Sequence, residues 1–366
     1  MLSAACCGPW GVSLKRLSAA GAVAVASAAV VGPTPAHSDP AGLQAARLVG
    51  RFSVAKDFRA SFEWPGSAIE FTIRGGWIEL TFADTGNNSM VVDNDGVISR
   101  LDLKKGTHAY RVALGTAKTT HLVRFVRRTE ASFGTTTLTD AATDGAFLPT
   151  PEKSRSILVI GDSISAGYGV EGTDTSCPFS ADTQNQYLTY SAVTARRFDA
   201  DVITLAISGI GLVQNYDGNT KITMPALMTR VLPSRPDTRP LPKTDVVVVH
   251  LGTNDFHAGR QQANFANAYG QLLRDLRANA PDAMLYAAMG PLLKQEEQKA
   301  AMTAIAQALA ERQAAGDRKV AMISFGDPKG VPSRGCDWHP NAASHRYMSD
   351  QLTSLISKDL GWRPVN

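Results

Sequence analysis

The chemistry-bearing residues of this 366-residue chain gather in short blocks: Gly161-Asp162-Ser163, Ser208-Gly209, Gly252-Thr253-Asn254-Asp255 and Asp337-Trp338-His339-Pro340. A serine becomes a nucleophile when a base takes its proton and N–H donors hold the oxyanion that its attack creates. Ser163 follows the apolar run 157–160 and Gly161, which read as a buried parallel strand turning tightly into a helix. That places the hydroxyl at the carboxyl end of a strand and the amide at a helix N-terminus, where negative charge is favoured. By itself the block is equally a βα turn in which Asp162 or Ser163 serves only as a helix cap. The other blocks decide between the two readings.

Two further apolar runs end in donor-rich loops. Residues 202–207 lead into Ser208-Gly209, and residues 245–251 lead into Gly252-Thr253-Asn254-Asp255. A glycine offers its amide with no side chain in the way, and Asn254 offers a side-chain N–H. With the amide of Ser163, these make an oxyanion hole of Ser163, Gly209 and Asn254. Singly, Gly209 serves a turn and Asn254-Asp255 a helix cap; together, at successive strand ends, they read as a site. Among the histidines, His250 lies inside a strand run and reads as buried, while His257 and His345 have no matching partner. His339 precedes Pro340, which favours an extended backbone and suits a loop that carries an imidazole into a crevice. Asp337, two residues upstream, either orients that imidazole or bonds within its own loop. No His and acidic residues have zinc-type spacing, and there is no phosphate-cradling loop, so the chemistry calls for neither metal nor other cofactor.

These blocks meet only if their strands share one parallel sheet. From residue 156 onward, candidate strands 157–160, 202–207, 245–251, 284–289 and 320–325 alternate with helical stretches 183–198, 225–232, 261–279, 295–315 and 341–360. The alternation predicts a three-layer α/β/α domain of about five strands over residues 150–366, with its ligand crevice at the carboxyl ends. In the last helix, Ala343, Tyr347, Met348, Leu352, Leu355 and Ile356 are expected on one buried face.

Residues 48–148 differ in character. Short alternating runs such as 68–73, 77–82 and 121–126 are separated by Gly75-Gly76 and Asp93-Asn94-Asp95-Gly96, with no convincing helix. They predict an all-β sandwich of jelly-roll topology within residues 39–149, joined to the next domain by the proline-bearing linker 149–154. Packing and positioning is the favoured role for it, because a fold alone does not establish ligand binding.

Hydrophobic residues make up 44% of the chain, ordinary for a globular protein, and the net charge of +4 gives no argument for nucleic acid. Lys15 and Arg16, the alanine-rich run 17–31 and small residues up to Ser38 read as a secretory signal peptide over residues 1–38. The run is too short and too rich in alanine for a membrane span. Export to the periplasm or the medium is expected, with no membrane association after cleavage. Cys6 and Cys7 then leave with the leader, and Cys177 and Cys336 are expected to form a disulfide.

Together the four blocks resemble the SGNH/GDSL hydrolases. Phe62-Glu63-Trp64-Pro65-Gly66 and Arg127-Arg128-Thr129-Glu130 in the β region, with Cys177-Pro178 and Tyr187-Leu188-Thr189-Tyr190 downstream, narrow the resemblance to family 2 of the carbohydrate esterases. The resemblance implies a serine esterase that removes O-acetyl groups from polysaccharides or oligosaccharides, xylan and glucomannan among them, through an acetyl-serine intermediate. It makes Ser163 the nucleophile and His339 the base. The wider superfamily carries an aspartate three residues before the histidine; here that position is Cys336, and Asp337 stands at two. Orientation of His339 by the Asp337 carboxylate or by a backbone carbonyl, as in the family 2 esterases, therefore stays open. Trp338 offers either a stacking face for a sugar ring or a buried anchor for its loop. Two rival readings are a lipase or thioesterase of the same superfamily, which would need an apolar acyl channel, and a carbohydrate-binding protein with minor activity.

Overall fold

The alternating runs of the N-terminal half pair into two antiparallel sheets in the computed structural model, which describes residues 29–31, 40–260 and 263–365. One sheet runs Ala29–Val31, Gly106–Ala113, Trp77–Asp84, Thr136–Thr143, Ala60–Phe62, Ser53–Val54. The other runs Ala146–Leu148, Ala68–Arg74, Thr120–Arg127, Ser89–Asn94, Val97–Asp102, with Arg47–Val49 also paired to Ala68–Arg74. The chain crosses between sheets at most connections, the jelly-roll habit. Along Trp77–Asp84 every second residue is buried, the period-2 signature of a strand with one face on a core. Phe62, Phe71, Phe82 and Phe125 fill the space between the sheets, each contributing roughly 1.5–3 kcal/mol of burial. A short helix, Pro40–Gln44, precedes the sandwich. The expected leader lies outside the described residues apart from Ala29–Val31, which pair with Gly106–Ala113; the cleavage expected after Ser38 would remove that strand.

The second half contains β1 (Ser156–Gly161), α1 (Ser163–Ala166), α2 (Tyr190–Arg197), β2 (Asp201–Ala206), β3 (Val246–His250), α3 (Thr253–Phe256), α4 (Phe265–Asn279), β4 (Met284–Met289), α5 (Gln295–Ala314), β5 (Val320–Ser324) and α6 (Ala342–Leu360). The five strands form one parallel sheet in the order β2-β1-β3-β4-β5. Its central strands are buried on both faces, which is why they read as unbroken apolar runs. Tyr269 and Leu273 of α4 and Ile305 of α5 cover one face, and Tyr190 of α2 with Met348 and Leu352 of α6 cover the other. Gly161 lies opposite Ala206 and His250 in register, so the loops after β1, β2 and β3 leave the sheet at one level.

Three expectations are corrected. The helix expected over 183–198 is a 3-10 turn, Gln186–Leu188, followed by α2, because Gln186 turns inward to Thr204 and Thr189 caps α2. The helix expected over 225–232 is only Met224–Leu227. The buried face of α6 includes Ser344, His345, Ser349 and Thr353, while Tyr347 is exposed. That face meets α2 through hydroxyls, with Thr194 Oγ1 2.9 Å from Ser349 Oγ, so apolar periodicity alone misplaced its centre.

The two halves are tied together. Trp64 is buried among Leu158, Met224 and Leu251 of the α/β half, and its Nε1 donates to Arg230 O at 3.3 Å. Arg47 binds the carboxylates of Glu70, Glu152 and Asp201, so the segment 149–154 is anchored at Glu152. Glu63 accepts from Ser234 N at 2.9 Å and Ser234 Oγ at 2.5 Å. Among the described residues, no helix is long and apolar enough to cross a membrane.

Candidate active site

At the end of β1, a Cβ on Gly161 would lie 2.3 Å from Ser165 Oγ, so the turn into α1 excludes any side chain there. Asp162 caps α1, its Oδ1 accepting from Ile164 N at 3.0 Å, and burial pushes its carboxyl up to about 7. Ser163 is the first residue of α1 and is buried. Its amide, at the first helical position, has no intrahelical acceptor and is free for a ligand.

His339 is held in an extended conformation, φ −66° and ψ 154°, as Pro340 favours. Its Nε2 is 2.8 Å from Ser163 Oγ. Its Nδ1 faces only backbone, 3.2 Å from Asp337 O and 3.3 Å from Cys336 O. Carbonyls accept and do not donate, so Nδ1 carries the proton and Nε2 accepts from the serine hydroxyl. Desolvation pushes His339 down to about 4, against the raising effect of the two carbonyls. At neutral pH the imidazole is therefore an uncharged base.

The Asp337 carboxylate is engaged elsewhere: it accepts from the Tyr168 hydroxyl. What Asp337 presents to the imidazole is its carbonyl oxygen, the geometry of the backbone-carbonyl alternative rather than of the carboxylate one. Asp337 and Trp338 both lie in the left-handed region, at φ 47° and 64°, a conformation uncommon for residues with side chains. Cys336 is bonded to Cys177 as expected, so the loop is fixed covalently next to one of the carbonyls that face Nδ1. Trp338 is 65% exposed, which removes the buried-anchor alternative and leaves its ring open beside the base.

Gly209 follows β2 with φ +77°, and its carbonyl accepts from Tyr216 N at 2.8 Å. Asn254, in α3, donates one Nδ2 hydrogen to Ile210 O at 2.9 Å and keeps the other. Its neighbour Asp255 accepts from the amides of Leu212, Val213 and Gln214 at 3.0, 2.7 and 3.0 Å. Burial raises the Asp255 carboxyl while those amides lower it. The loop after β2 is thus wrapped on α3. The other histidines are occupied elsewhere. His250 is buried with Nδ1 3.2 Å from Tyr190 OH, His345 Nδ1 accepts from Tyr190 N at 3.1 Å, and His257 packs on Tyr216.

Sequence reasoning assigned no part to two residues that touch this machinery. Tyr168 stacks on His339, and Glu130 of the β-sandwich bonds Ser208. Tyr168 lies shortly after Ser163, and Glu130 ends the Arg-Arg-Thr-Glu run, but nothing in their spacing reveals contacts made across such sequence distances. Among the described residues, no group of three or more His, Cys, Asp or Glu side chains is placed to hold a metal ion. The arrangement as a whole can take a proton from a serine hydroxyl and bind an anion on strand-end donors, the chemistry of a serine acylhydrolase.

Comparison with known proteins agrees. Residues 159–347 match the GDSL-like lipase/acylhydrolase family, and residues 48–151 match the carbohydrate esterase 2 N-terminal family. The chain belongs to the GDSL-like lipase/acylhydrolase family, in the two-domain form of the family 2 carbohydrate esterases. It is 32% identical to the cellulase/esterase CelE of Acetivibrio thermocellus over 86% of its own length, but spans only 39% of that protein. It is 27% identical to an acetylxylan esterase / glucomannan deacetylase of Cellvibrio japonicus, covering 90% of this chain and 92% of the relative. The structure of a family two carbohydrate esterase from Clostridium thermocellum in complex with cellohexaose aligns with a TM-score of 0.83 and 31% identity, covering 87% of this chain and 99% of that one.

Proposed function

We propose that this protein is a serine esterase that removes O-acetyl groups from plant-type polysaccharides or oligosaccharides. The observation that carries the proposal is the 2.8 Å bond between His339 Nε2 and Ser163 Oγ, made beside Gly209 and Asn254 at neighbouring strand ends. Acetylated xylan and glucomannan are the substrates of choice, by likeness to the acetylxylan esterase / glucomannan deacetylase relative.

In the reaction, His339 Nε2 takes the Ser163 proton as the oxygen attacks the acetyl carbonyl. The amides of Ser163 and Gly209 and the free Nδ2 hydrogen of Asn254 bind the resulting oxyanion; one such donor is worth about 3–4 kcal/mol in the transition state. The tetrahedral centre collapses, the bond to the sugar oxygen breaks, and the imidazolium returns its proton to that oxygen. Water, deprotonated by the same Nε2, then attacks the acetyl-serine; the bond from the acetyl carbon to Ser163 Oγ breaks, the imidazolium returns its proton to Oγ, and acetate leaves. The carbonyls of Asp337 and Cys336 accept from Nδ1–H in both states, fixing the tautomer of the neutral imidazole and the orientation of the imidazolium. Trp338 offers its exposed face to a sugar ring.

Export is part of the proposal, with residues 1–38 as a cleaved leader; N-terminal sequencing of protein recovered outside the cytoplasm tests it, and a chain that retains Lys15 and Arg16 there contradicts it. For the activity, loss of the acetyl proton signals of xylan or glucomannan on incubation with the protein is the supporting result. A series of p-nitrophenyl esters separates the lipase reading: activity that falls steeply beyond acetyl supports the acetylesterase, and activity that rises with chain length supports a lipase.

A further inference from the structure

The β-sandwich sends one carboxylate into the catalytic half. Glu130 is buried and its donors are hydroxyls, a backbone amide and a carboxamide rather than a cation. Ser208 donates to it twice, from Oγ to Oε2 at 2.6 Å and from N at 3.2 Å, across a sequence separation of 78 residues. Ser132 Oγ donates to Oε1 at 3.0 Å and Gln184 Nε2 to Oε2 at 2.9 Å. Gln184 Nε2 also reaches Ala166 O, the last carbonyl of α1, at 3.2 Å, and Gln184 Oε1 accepts from Glu130 N at 3.0 Å. The carboxylate therefore stands between two elements: the residue just before Gly209, and the helix whose first residue is Ser163.

We propose that Glu130 is a positioning residue for the oxyanion hole, setting the offset between the Gly209 amide and the Ser163 amide. This rests on the assignment of those amides as oxyanion donors. Anion binding needs its donors within a few tenths of an ångström of their places, and Ser208 and Gly209 lie in a loop after β2 that is half exposed. Downstream, that loop is held on Asp255; at its start, the carboxylate of Glu130 holds it. Burying an acid whose direct partners are all neutral is unfavourable; desolvation raises the Glu130 carboxyl, opposed by the donors from Ser208, Gln184 and Ser132, and the cation of Arg127 donates to the Glu130 carbonyl at 3.0 Å rather than to its carboxylate. Two acceptor oxygens on one rigid group are what join a hydroxyl, an amide and a carboxamide at a single point. The β-sandwich is on this account a component of the catalytic apparatus, not only a neighbour of it.

The test is a kinetic cycle on a soluble acetyl ester with Glu130→Gln, Ser208→Ala, Asn254→Ala and Glu130→Gln/Asn254→Ala. Glu130→Gln is expected to lower kcat about ten- to a hundredfold with KM within about twofold, and Ser208→Ala to lower kcat about fivefold, both less than loss of a whole donor. The double variant is expected to fall little below Asn254→Ala alone, because both changes disable one anion site. If Glu130→Gln does not fold, Ser208→Ala/Asn254→Ala completes the same cycle. Near-wild-type kcat in Glu130→Gln and Ser208→Ala beside a crippled Asn254→Ala overturns the proposal, as does a fully multiplicative double variant. Wild-type kcat in Asn254→Ala overturns the oxyanion assignment itself and the proposal with it.

Discussion

The ring of Tyr168 lies flat on the imidazole of His339, centroids 3.9 Å apart and planes 17° from parallel. On its other face it stacks on Phe179 at 4.4 Å. The same phenol donates to the Asp337 carboxylate, and burial, with that carboxylate, raises its pKa so that it stays a donor. Tyr168 therefore fixes the imidazole twice: by its ring directly, and by its hydroxyl through the left-handed residue whose carbonyl faces Nδ1.

Asp337 substitutions follow from that arrangement. Asparagine keeps an acceptor for Tyr168 and tolerates the left-handed backbone, so Asp337→Asn is expected to keep kcat within about tenfold of wild type, the scale of one altered hydrogen bond. Asp337→Ala loses more, and His339→Ala loses nearly all turnover. Steady-state kinetics on an acetyl ester decides. If the carboxylate oriented the imidazole, asparagine would cost about 10⁴-fold, as it does in a Ser-His-Asp triad.

The pH profile carries the signature of a half-buried, desolvated base. His339 must be uncharged to accept the serine proton, and desolvation holds it down to about 4. kcat/KM is expected to stay level as pH falls through 6.5, the ordinary histidine value, and to drop only on approach to about 4. A fall centred near 6.5 would show a solvated imidazole in the free enzyme.

The disulfide bears on the same loop. Cys336 is joined to Cys177 over a separation of 159 residues, and its carbonyl faces His339 Nδ1. Cys177→Ser is expected to lower stability by about 2–4 kcal/mol and to reduce kcat at unchanged KM, measured by denaturant unfolding and kinetics side by side. Unchanged kcat would mean that the imidazole is held without the covalent tie.

Trp338 provides a substrate-level check. Trp338→Ala is expected to raise KM several-fold for acetylated oligosaccharide, the scale of one lost stacking contact of about 1 kcal/mol, and to leave KM for a small acetyl ester unchanged. Equal changes on both substrates would point to a disturbed His339 loop instead.

The sheet was readable in the sequence because its central strands are buried on both faces, so Met284–Met289 is an uninterrupted apolar run with sharp ends. The candidate residues Ser163, Gly209, Asn254 and His339 stood out because each sits where such a run stops or where proline dictates the backbone. The helix before Tyr190 was misjudged because Asn185 and Gln186 spend their side chains on Glu171 and Thr204, partners that no local pattern reveals. Glu130 and Tyr168 escaped for the same reason. Their contacts arise only when Ser208 and Asp337 are brought to them by the fold.

Acetate release from acetylated xylan and glucomannan, wild type beside Ser163→Ala, reads the dependence of deacetylation on the serine hydroxyl. Release by the wild type and its near-complete loss in the variant are expected, with the fold of the variant intact by circular dichroism. Equal release by a folded Ser163→Ala would contradict that dependence, because acetate would then be leaving without the serine nucleophile.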